Sequence, residues 1–288
     1  MRRASGRVSK ALSLVQTWVE HLLLLVVLFF ILLPFYWLVV SSLKPTREIF
    51  SLVPTWWPSE LTFAHYQWVF GPTAGELRTY FLNTFVSAGG AALLVGLLAV
   101  PAAYALSRYV FPGKTFTAMT ILLLPMFQGP VVIIAWYYFG LRLGLLDTPA
   151  LLILAYVSLS LPFAVWMLVG FFDSVPKEMA DAAAVDGATP LQTLLRIYVP
   201  LVAPGISAIM MYSFILAWND FIYALILTQS DASKTIQIGI ADLISFFGQR
   251  NWGGLMATSV LAALPVILIF FFVERYFTEG LAQGGVKG

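Results

Sequence analysis

Runs of about 20 apolar residues recur along nearly the whole chain, and no other feature constrains the fold as much. A helix needs about 20 apolar residues to cross the hydrocarbon core of a bilayer. Only structures that satisfy their own backbone hydrogen bonds can cross it, so such runs predict transmembrane helices. The composition agrees, because 60 % of the 288 residues are hydrophobic and 10 % are charged, with a mean hydropathy of +0.88. The sequence therefore predicts an all-α polytopic membrane protein without a sizeable soluble domain.

The hydropathy pattern predicts six transmembrane helices, which we place at 21–42, 80–106, 116–140, 149–172, 201–228 and 254–277. The first run is too long for the core of a signal peptide, so a retained first helix is expected. An even number of spans puts both termini on one side. Ten of the 16 Lys and Arg residues then lie on that side, which the positive-inside rule assigns to the cytoplasm. The predicted domains are a cytoplasmic tail over 1–20, a transmembrane domain over 21–277 and a second cytoplasmic tail over 278–288.

Residues that build common catalytic and metal sites are scarce. The chain has no cysteine and two histidines, His21 and His65, which we expect to be isolated surface residues. Gly113-Lys114-Thr115 resembles the end of a phosphate-binding loop, but Arg108 stands where that motif requires a glycine. The net charge of +2 is too small and too scattered to favour nucleic-acid binding. We therefore expect no cofactor, no metal site, no ATP site and no enzyme activity in this chain.

Polar residues inside the predicted spans indicate a candidate path through the bilayer. Asn219 and Asp220 fall in the fifth span, where an unpaired carboxylate costs about 2.5–3.5 kcal/mol. Asn83 near the start of the second span and Gln128 in the third are further candidates, and Trp218 adjoins the fifth-span pair. The alternative is that these groups only form hydrogen bonds between helices.

The segment 173–200, between the fourth and fifth spans, has the pattern of two short helices rather than of a loop. We expect Ser174 to cap the first helix and Pro176 to occupy its first turn, followed by the alanine-rich "ADAAAV". Gly187 is then free to adopt the left-handed conformation that ends helices.

The second helix of this segment has its own start signal. Thr189-Pro190-Leu191-Gln192 fits a capping box with proline at the first helical position. The helical spacing of Leu191, Leu194, Leu195 and Tyr198 predicts one apolar stripe. The stripe packs either on the protein's own membrane helices or in a groove of another protein, and the pattern alone does not decide between them.

The stretch "DAAAVDGATPLQTLLRIYVPLVAPGI" resembles the EAA loop of the permease subunits of ABC importers, in which Glu-Ala-Ala is followed by three residues, Gly and, further on, a hydrophobic-Pro pair. Ala182 and Ala183 match the alanines, Gly187 the glycine and Pro200 the proline. Asp181 stands at the glutamate position with a shorter side chain, and Glu178 lies one turn earlier. The segments "SSLKPTREIF", "AYALSRYVFPGK", "AWNDFIYALILT" and "ERYFTEGLAQGGVKG" resemble the carbohydrate-importer branch and its MalG-like permeases, so the resemblance covers most of the chain.

The resemblance implies a sugar-transport permease of the cell (inner) membrane that hydrolyses no ATP itself. Its expected partners are a second, MalF-like permease, two copies of a cytoplasmic ABC ATPase, an extracellular sugar-binding protein and membrane lipid. Separately, the cost of burying Asp220 motivates the hypothesis that Trp218, Asn219 and Asp220 contact the passing sugar. The resemblance makes the segment 174–185 the coupling helix that docks on the ATPase. The coupling residues it implies are Glu178, Asp181, Ala182, Ala183, Asp186 and Gly187. The main alternative is a stand-alone secondary transporter driven by an ion gradient through Asp220, and a membrane enzyme ranks below it.

Overall fold

The computed structural model describes residues 2–72, 75–127, 130–245 and 251–284, and all regular structure in these ranges is helical. The α-helices are α1 (Arg2–Ser42), α2 (Thr46–Ile49), α3 (Ala64–Phe70), α4 (Leu77–Arg108), α5 (Lys114–Leu123), α6 (Pro130–Leu143), α7 (Pro149–Ser174), α8 (Glu178–Val185), α9 (Pro190–Thr193), α10 (Val199–Leu201), α11 (Ala203–Asn219), α12 (Ile222–Leu227), α13 (Ile236–Ser245) and α14 (Trp252–Gly284). The described residues form two compact units, one within 1–73 and 249–261 and the other within 74–248 and 262–288.

Four of the predicted spans correspond to helices that are long and apolar enough to cross a membrane. These segments are Gln16–Ser42, Leu77–Arg108, Pro149–Ser174 and Trp252–Phe271. They contain the first, second, fourth and sixth predicted spans or most of their length. An α-helix satisfies its backbone hydrogen bonds internally and can therefore cross a bilayer. The predicted all-α membrane fold is confirmed.

The third predicted span is not one continuous helix. α5 ends at Leu123, a 3₁₀ turn covers Leu124–Phe127, and α6 begins at Pro130. Pro125 and Pro130 lie five residues apart, and each removes a backbone donor that a continuous helix would need. The predicted helix over 116–140 is therefore replaced by two shorter apolar helices.

The fifth predicted span is also interrupted. The helical segments Pro190–Leu201 and Ala203–Asn219 meet at an angle of 79°. Asp220 then adopts an extended conformation, and the chain becomes helical again only in α12. The prediction of an unbroken helix over 201–228 is therefore wrong at its outer end, whereas its start agrees with α11 to within two residues.

Small residues allow α4, α7 and α11 to pack closely at the centre of the second unit. Ala88, Ala91 and Ala99 on α4 are fully buried. A Cβ atom on Gly205 of α11 would lie 2.5 Å from Cγ of Phe171 on α7, so this contact requires glycine. Small residues such as these let helix backbones approach closely within a membrane.

In the first unit, polar contacts fix the chain that leaves α1. His65 on α3 is buried, and its Nε2 lies 2.9 Å from the Lys44 carbonyl oxygen, so the expectation of a surface histidine is wrong. The Lys44 ammonium donates to the Thr55 carbonyl and lies 4.4 Å from the centre of the Trp37 ring. These partners compensate the burial of a charged side chain.

Candidate functional site

The predicted coupling helix begins later than the sequence suggested. Ser174 is the last residue of α7, where its hydroxyl donates to the Phe171 carbonyl 2.7 Å away, so it does not cap the next helix. Val175 is extended, as expected for a residue before proline. α8 therefore starts only at Glu178, and the proposed range 174–185 shortens to Glu178–Val185.

The turn after α8 depends on Gly187. Its φ of +81° lies in the left-handed region, where residues with a side chain are strained. The Gly187 amide donates to Ala184 at 3.1 Å, and the Ala188 amide donates to Ala183 at 2.9 Å. This pair of bonds satisfies two carbonyls at the helix end, as in a Schellman motif, and confirms the predicted role of the glycine.

The predicted capping box is present at the start of α9. The Gln192 amide donates to the Thr189 hydroxyl at 3.3 Å, and the Thr189 amide donates to Gln192 Oε1 at 2.9 Å. Pro190 occupies the first helical position. The turn between α8 and α9 is therefore fixed by local hydrogen bonds at both of its ends.

The predicted apolar stripe does not form one face. Residues Leu194–Tyr198 form a π-helical turn, whose i→i+5 bonds change the spacing of side chains along the helix. Leu194 and Tyr198 are buried, whereas Leu191 is 64 % and Leu195 is 55 % exposed. One pair therefore packs on the chain itself, and the other pair is left exposed.

A concave cleft of about 690 Å³ lies between α8 and the α9 region. Its lining residues are Glu178, Met179, Ala182, Ala183, Asp186, Gly187, Ala188, Gln192, Arg196 and Ile197. Five of the six predicted coupling residues therefore line one surface, and Asp181 does not line the cleft. Ala183 is the buried member of the set. The cleft combines the carboxylates of two acidic residues with one guanidinium and an apolar floor.

Exposed apolar side chains border the cleft. Val185 at the end of α8 is 88 % exposed, and Met179 and Leu191 are also exposed. A soluble surface tolerates single exposed apolar residues, but a group of them around a cleft is typical of a protein interface.

Of the predicted pathway residues, Asn83 has a clear structural partner. Its Nδ2 donates to the carbonyls of Ala232 at 2.8 Å and Lys234 at 3.0 Å, which ties α4 to the loop before α13. Gln128 lies outside the described residues. The Asn83 contact joins α4 to a loop, whereas the alternative stated from the sequence was a hydrogen bond between helices.

Trp218 and Asn219 have opposite surroundings. Trp218 is 1 % exposed, its ring centre lies 4.7 Å from that of Phe85 and 5.3 Å from that of Phe214, and its Nε1 donates to the Ala262 carbonyl at 3.0 Å. Asn219 is exposed, and its Nδ2 donates to Ile215 one turn earlier. Of this pair, only Asn219 has an exposed side chain.

Asp220 lies at the break between α11 and α12, and several donors offset the cost of its burial. Its carboxylate accepts bonds from the Tyr156 hydroxyl at 3.0 Å and from the amides of Tyr223 at 3.4 Å and Ala224 at 3.0 Å. Amides in the first turn of a helix lack internal partners, so the carboxylate caps α12.

Asp147, which the sequence did not single out, accepts several hydrogen bonds from a loop that is distant in the sequence. Its φ of +66° is unusual for a residue other than glycine. Its Oδ1 accepts from the Gln229 and Ser230 amides at 2.6 and 3.0 Å and from the Ser233 hydroxyl. Burial alone would raise the pKa of Asp147, but bonds from Ser230, Ser233 and the Gln229 amide outweigh it and lower the pKa to about 2. An Asp-Thr-Pro stretch before a helix was the only local signal, and it does not reveal a partner more than 80 residues away.

Comparisons with known proteins agree on one family. A family model described as "Binding-protein-dependent transport system inner membrane component" matches residues 92–283. The diacetylchitobiose uptake system permease protein DasC of Streptomyces coelicolor is 34 % identical over 264 residues, which cover 91 % of this chain and 95 % of that protein. The trehalose/maltose transport system permease protein MalG of Thermococcus litoralis is 32 % identical, covering 89 % of this chain and 92 % of that protein. A chain in the crystal structure of a bacterial ABC transporter involved in alginate import has the same fold, with a TM-score of 0.80, 22 % identity, and coverage of 90 % of this chain and 95 % of that chain.

Proposed function

The chain belongs to the family of binding-protein-dependent transport system inner membrane components, and from this premise we propose that it forms the translocation path for a carbohydrate together with a second permease. In this assignment it is a transport subunit of an ABC importer and not an enzyme. ATP is hydrolysed by two copies of a separate ATPase subunit. A sugar-binding protein outside the membrane delivers the substrate.

The observation that carries this proposal is the α8–turn–α9 element with its exposed cleft. The element is held rigidly by the Schellman motif at Gly187 and the capping box at Thr189, and it keeps apolar side chains such as Val185 exposed. A rigid surface that has no internal partner for its apolar residues fits the groove-binding mode of an amphipathic helix. We propose that the partner is the ATPase and that its closure on ATP displaces α8.

Within this element, Glu178 rather than Asp181 faces the cleft. Asp181 is exposed on another side of α8. We propose that Glu178, Ala182, Asp186 and Gly187 form the contact surface, that Ala183 supports it from below, and that Asp181 lies outside this surface.

The carbohydrate assignment draws on the relatives that the chain covers almost completely. Their names state transport of diacetylchitobiose and of trehalose and maltose. We propose an oligosaccharide or a related carbohydrate as the substrate, with Asn219 as the pathway residue whose side chain is exposed. Trp218 and Asp220 then shape the path indirectly, by packing and by capping the broken helix.

The proposed location is the cell membrane, with both termini and α8 in the cytoplasm. The distribution of basic residues supports this orientation. The second permease would cover part of the apolar surface of α1, where residues such as Leu22 and Phe30 are exposed. Lipid acyl chains would cover the remainder.

The experiment is reconstitution of the tagged chain with its co-purified partners in proteoliposomes, followed by parallel measurement of ATP hydrolysis and sugar uptake. Gly187→Pro should leave assembly and hydrolysis in place but abolish uptake, because proline cannot adopt a φ near +81°. Gly113→Pro is the matched control, since Gly113 has a φ of +84° at the start of α5 and lies outside the cleft. Ala182→Trp should have the same effect as Gly187→Pro by filling the cleft.

Two outcomes contradict the proposal. Full uptake by both Gly187→Pro and Ala182→Trp would show that the element does not couple hydrolysis to transport. Uptake by the purified chain without an ATPase would favour the ion-driven secondary transporter.

A further inference from the structure

Arg108, the last residue of α4, contacts the junction between α7 and α8 through a single nitrogen. Its Nη2 donates to the Phe172 carbonyl and, at 2.6 Å, to the Val175 carbonyl. Both carbonyls lie at the end of α7, where the last turn of a helix leaves acceptors without internal partners. A guanidinium at this position also interacts favourably with the negative end of the helix dipole.

The same guanidinium contacts the segment that follows the cleft. Its Cζ lies 4.8 Å from the centre of the Tyr198 ring, at the end of the π-helical turn. Tyr198 is fully buried, with ring centres 5.2 Å from Tyr104 and 5.9 Å from Phe172. A cation over a buried aromatic face is a stronger contact than the same pair at an exposed surface.

Arg108 therefore joins three elements: the end of α4, the α7–α8 junction and the π-helical turn. Ser107, its neighbour on α4, adds a bond from its hydroxyl to the Asp173 carboxylate. The α8–α9 element is attached to the membrane helices on both of its sides, and the Arg108 guanidinium contacts both attachments. A movement of α8 must either carry the end of α4 with it or break these contacts.

We propose that Arg108 is the positioning residue that transmits the movement of α8 to α4. The proposal rests on the function proposed above, in which α8 is displaced by an ATPase. Arg108 does not line the cleft, and it acts by keeping α4, the α7–α8 junction and Tyr198 in one rigid cluster.

The chemistry of the contact requires arginine rather than any cation. Lysine has a compact ammonium that does not stack as a plane on a ring, whereas the guanidinium combines stacking with fixed donor directions. Within the described residues Nε of Arg108 and the hydroxyl of Tyr198 have no hydrogen-bond partner. The cluster therefore depends on the two Nη2 bonds and the ring face, and Tyr198→Phe should preserve it.

The test uses the whole reconstituted transporter. Arg108→Lys should lower sugar uptake about tenfold while ATP hydrolysis stays within about twofold of wild type, because a loss of about 1.4 kcal/mol corresponds to one charge-assisted hydrogen bond. Tyr198→Leu, like Arg108→Lys, should raise the number of ATP molecules consumed per sugar transported. Tyr198→Phe should match wild type in both uptake and ATP hydrolysis. Arg142→Lys, at an exposed arginine at the other end of the bundle, is the matched control.

A second measurement reports on the rigid cluster directly. The chain has no cysteine, so Val110→Cys after α4 and Ala184→Cys in α8 introduce the only two thiols in this subunit, both at exposed positions outside the cleft. Spin labels at these positions should give one narrow distance distribution with and without ATP. Arg108→Lys should broaden it.

The outcomes separate this proposal from the proposed function. Wild-type uptake per ATP together with an unchanged distance distribution in Arg108→Lys would overturn the role of Arg108. A parallel fall of hydrolysis, uptake and complex yield would also overturn it, because Arg108 would then be a structural residue only. A wild-type transporter without ATP-driven uptake would instead overturn the proposed function.

Discussion

Replacing Asp220 with leucine should destabilise the protein rather than only change its transport. The substitution removes the acceptor for the Tyr156 hydroxyl and for the amides of Tyr223 and Ala224. Tyr156 is fully buried, so its unpaired hydroxyl costs about 1–3 kcal/mol. Loss of a helix cap adds about 0.5–2 kcal/mol. The expected total is about 1.5–5 kcal/mol, apart from any effect on transport.

The assay is thermal unfolding of the purified transporter, combined with uptake in proteoliposomes. Asp220→Asn should lower the unfolding midpoint much less than Asp220→Leu, because asparagine is as good a capping residue as aspartate and also accepts a bond from Tyr156. Asn219→Leu is the neighbouring control, since Asn219 is exposed and bonds only within its own helix turn.

A double substitution tests the physical reason. Tyr156→Phe in the Asp220→Leu background removes the unpaired hydroxyl and should recover part of the lost stability, because two apolar partners leave no unsatisfied group. A normal unfolding midpoint for Asp220→Leu together with reduced uptake would refute this reasoning. It would instead assign the carboxylate to the substrate path.

The remaining predictions concern the hydrogen bonds that Asp147 accepts from Gln229, Ser230 and Ser233, which we call the loop clamp, and the packing of Gly205 against Phe171. Because the pKa of Asp147 is lowered to about 2, its stabilising contribution is present above the unfolded pKa of about 4 and is lost as the pH falls towards 2. Asp147→Asn, which tolerates the same backbone conformation, should therefore lower the unfolding midpoint at pH 7 but much less near pH 2.5; an equal difference at both pH values would contradict the clamp. Gly205→Ala should destabilise the protein by about 1–3 kcal/mol, because its Cβ would lie 2.5 Å from Phe171. Gly170→Ala is the control and should not destabilise it, since no atom lies within 4 Å of that Cβ. Equal midpoints of the two variants in thermal unfolding would contradict the packing argument.

Features fixed by neighbouring residues could be predicted from the sequence. Four long spans follow from hydropathy, and the turn at Gly187 and the capping box at Thr189 and Gln192 follow from residue types at set spacing. Each depends on backbone conformations and bonds within a few residues. The packing of distant helices therefore leaves the spans, the turn and the capping box unchanged.

Features that depend on distant partners could not be predicted. Arg108 makes its structural contacts with residues that lie 64 to 90 positions further along the chain. Its neighbours in the sequence show only a basic residue at the end of a span. The stripe from Leu191 to Tyr198 was divided because the π-helical turn changes the helix periodicity locally. No pattern of apolar residues signals such a turn in advance.

The break at Asp220 shows how one residue type supports two opposite interpretations. In an unbroken helix the carboxylate would have no backbone donors and would need a substrate or an ion as its partner. Breaking the helix after Asn219 creates a new N-terminus, whose amides supply those donors within four residues of the carboxylate. The buried carboxylate needs donors, and the interrupted helix leaves amides without acceptors. Each group thus supplies the hydrogen-bond partner that the other lacks. The same arrangement leaves Asn219 exposed at the end of α11, directly beside the break.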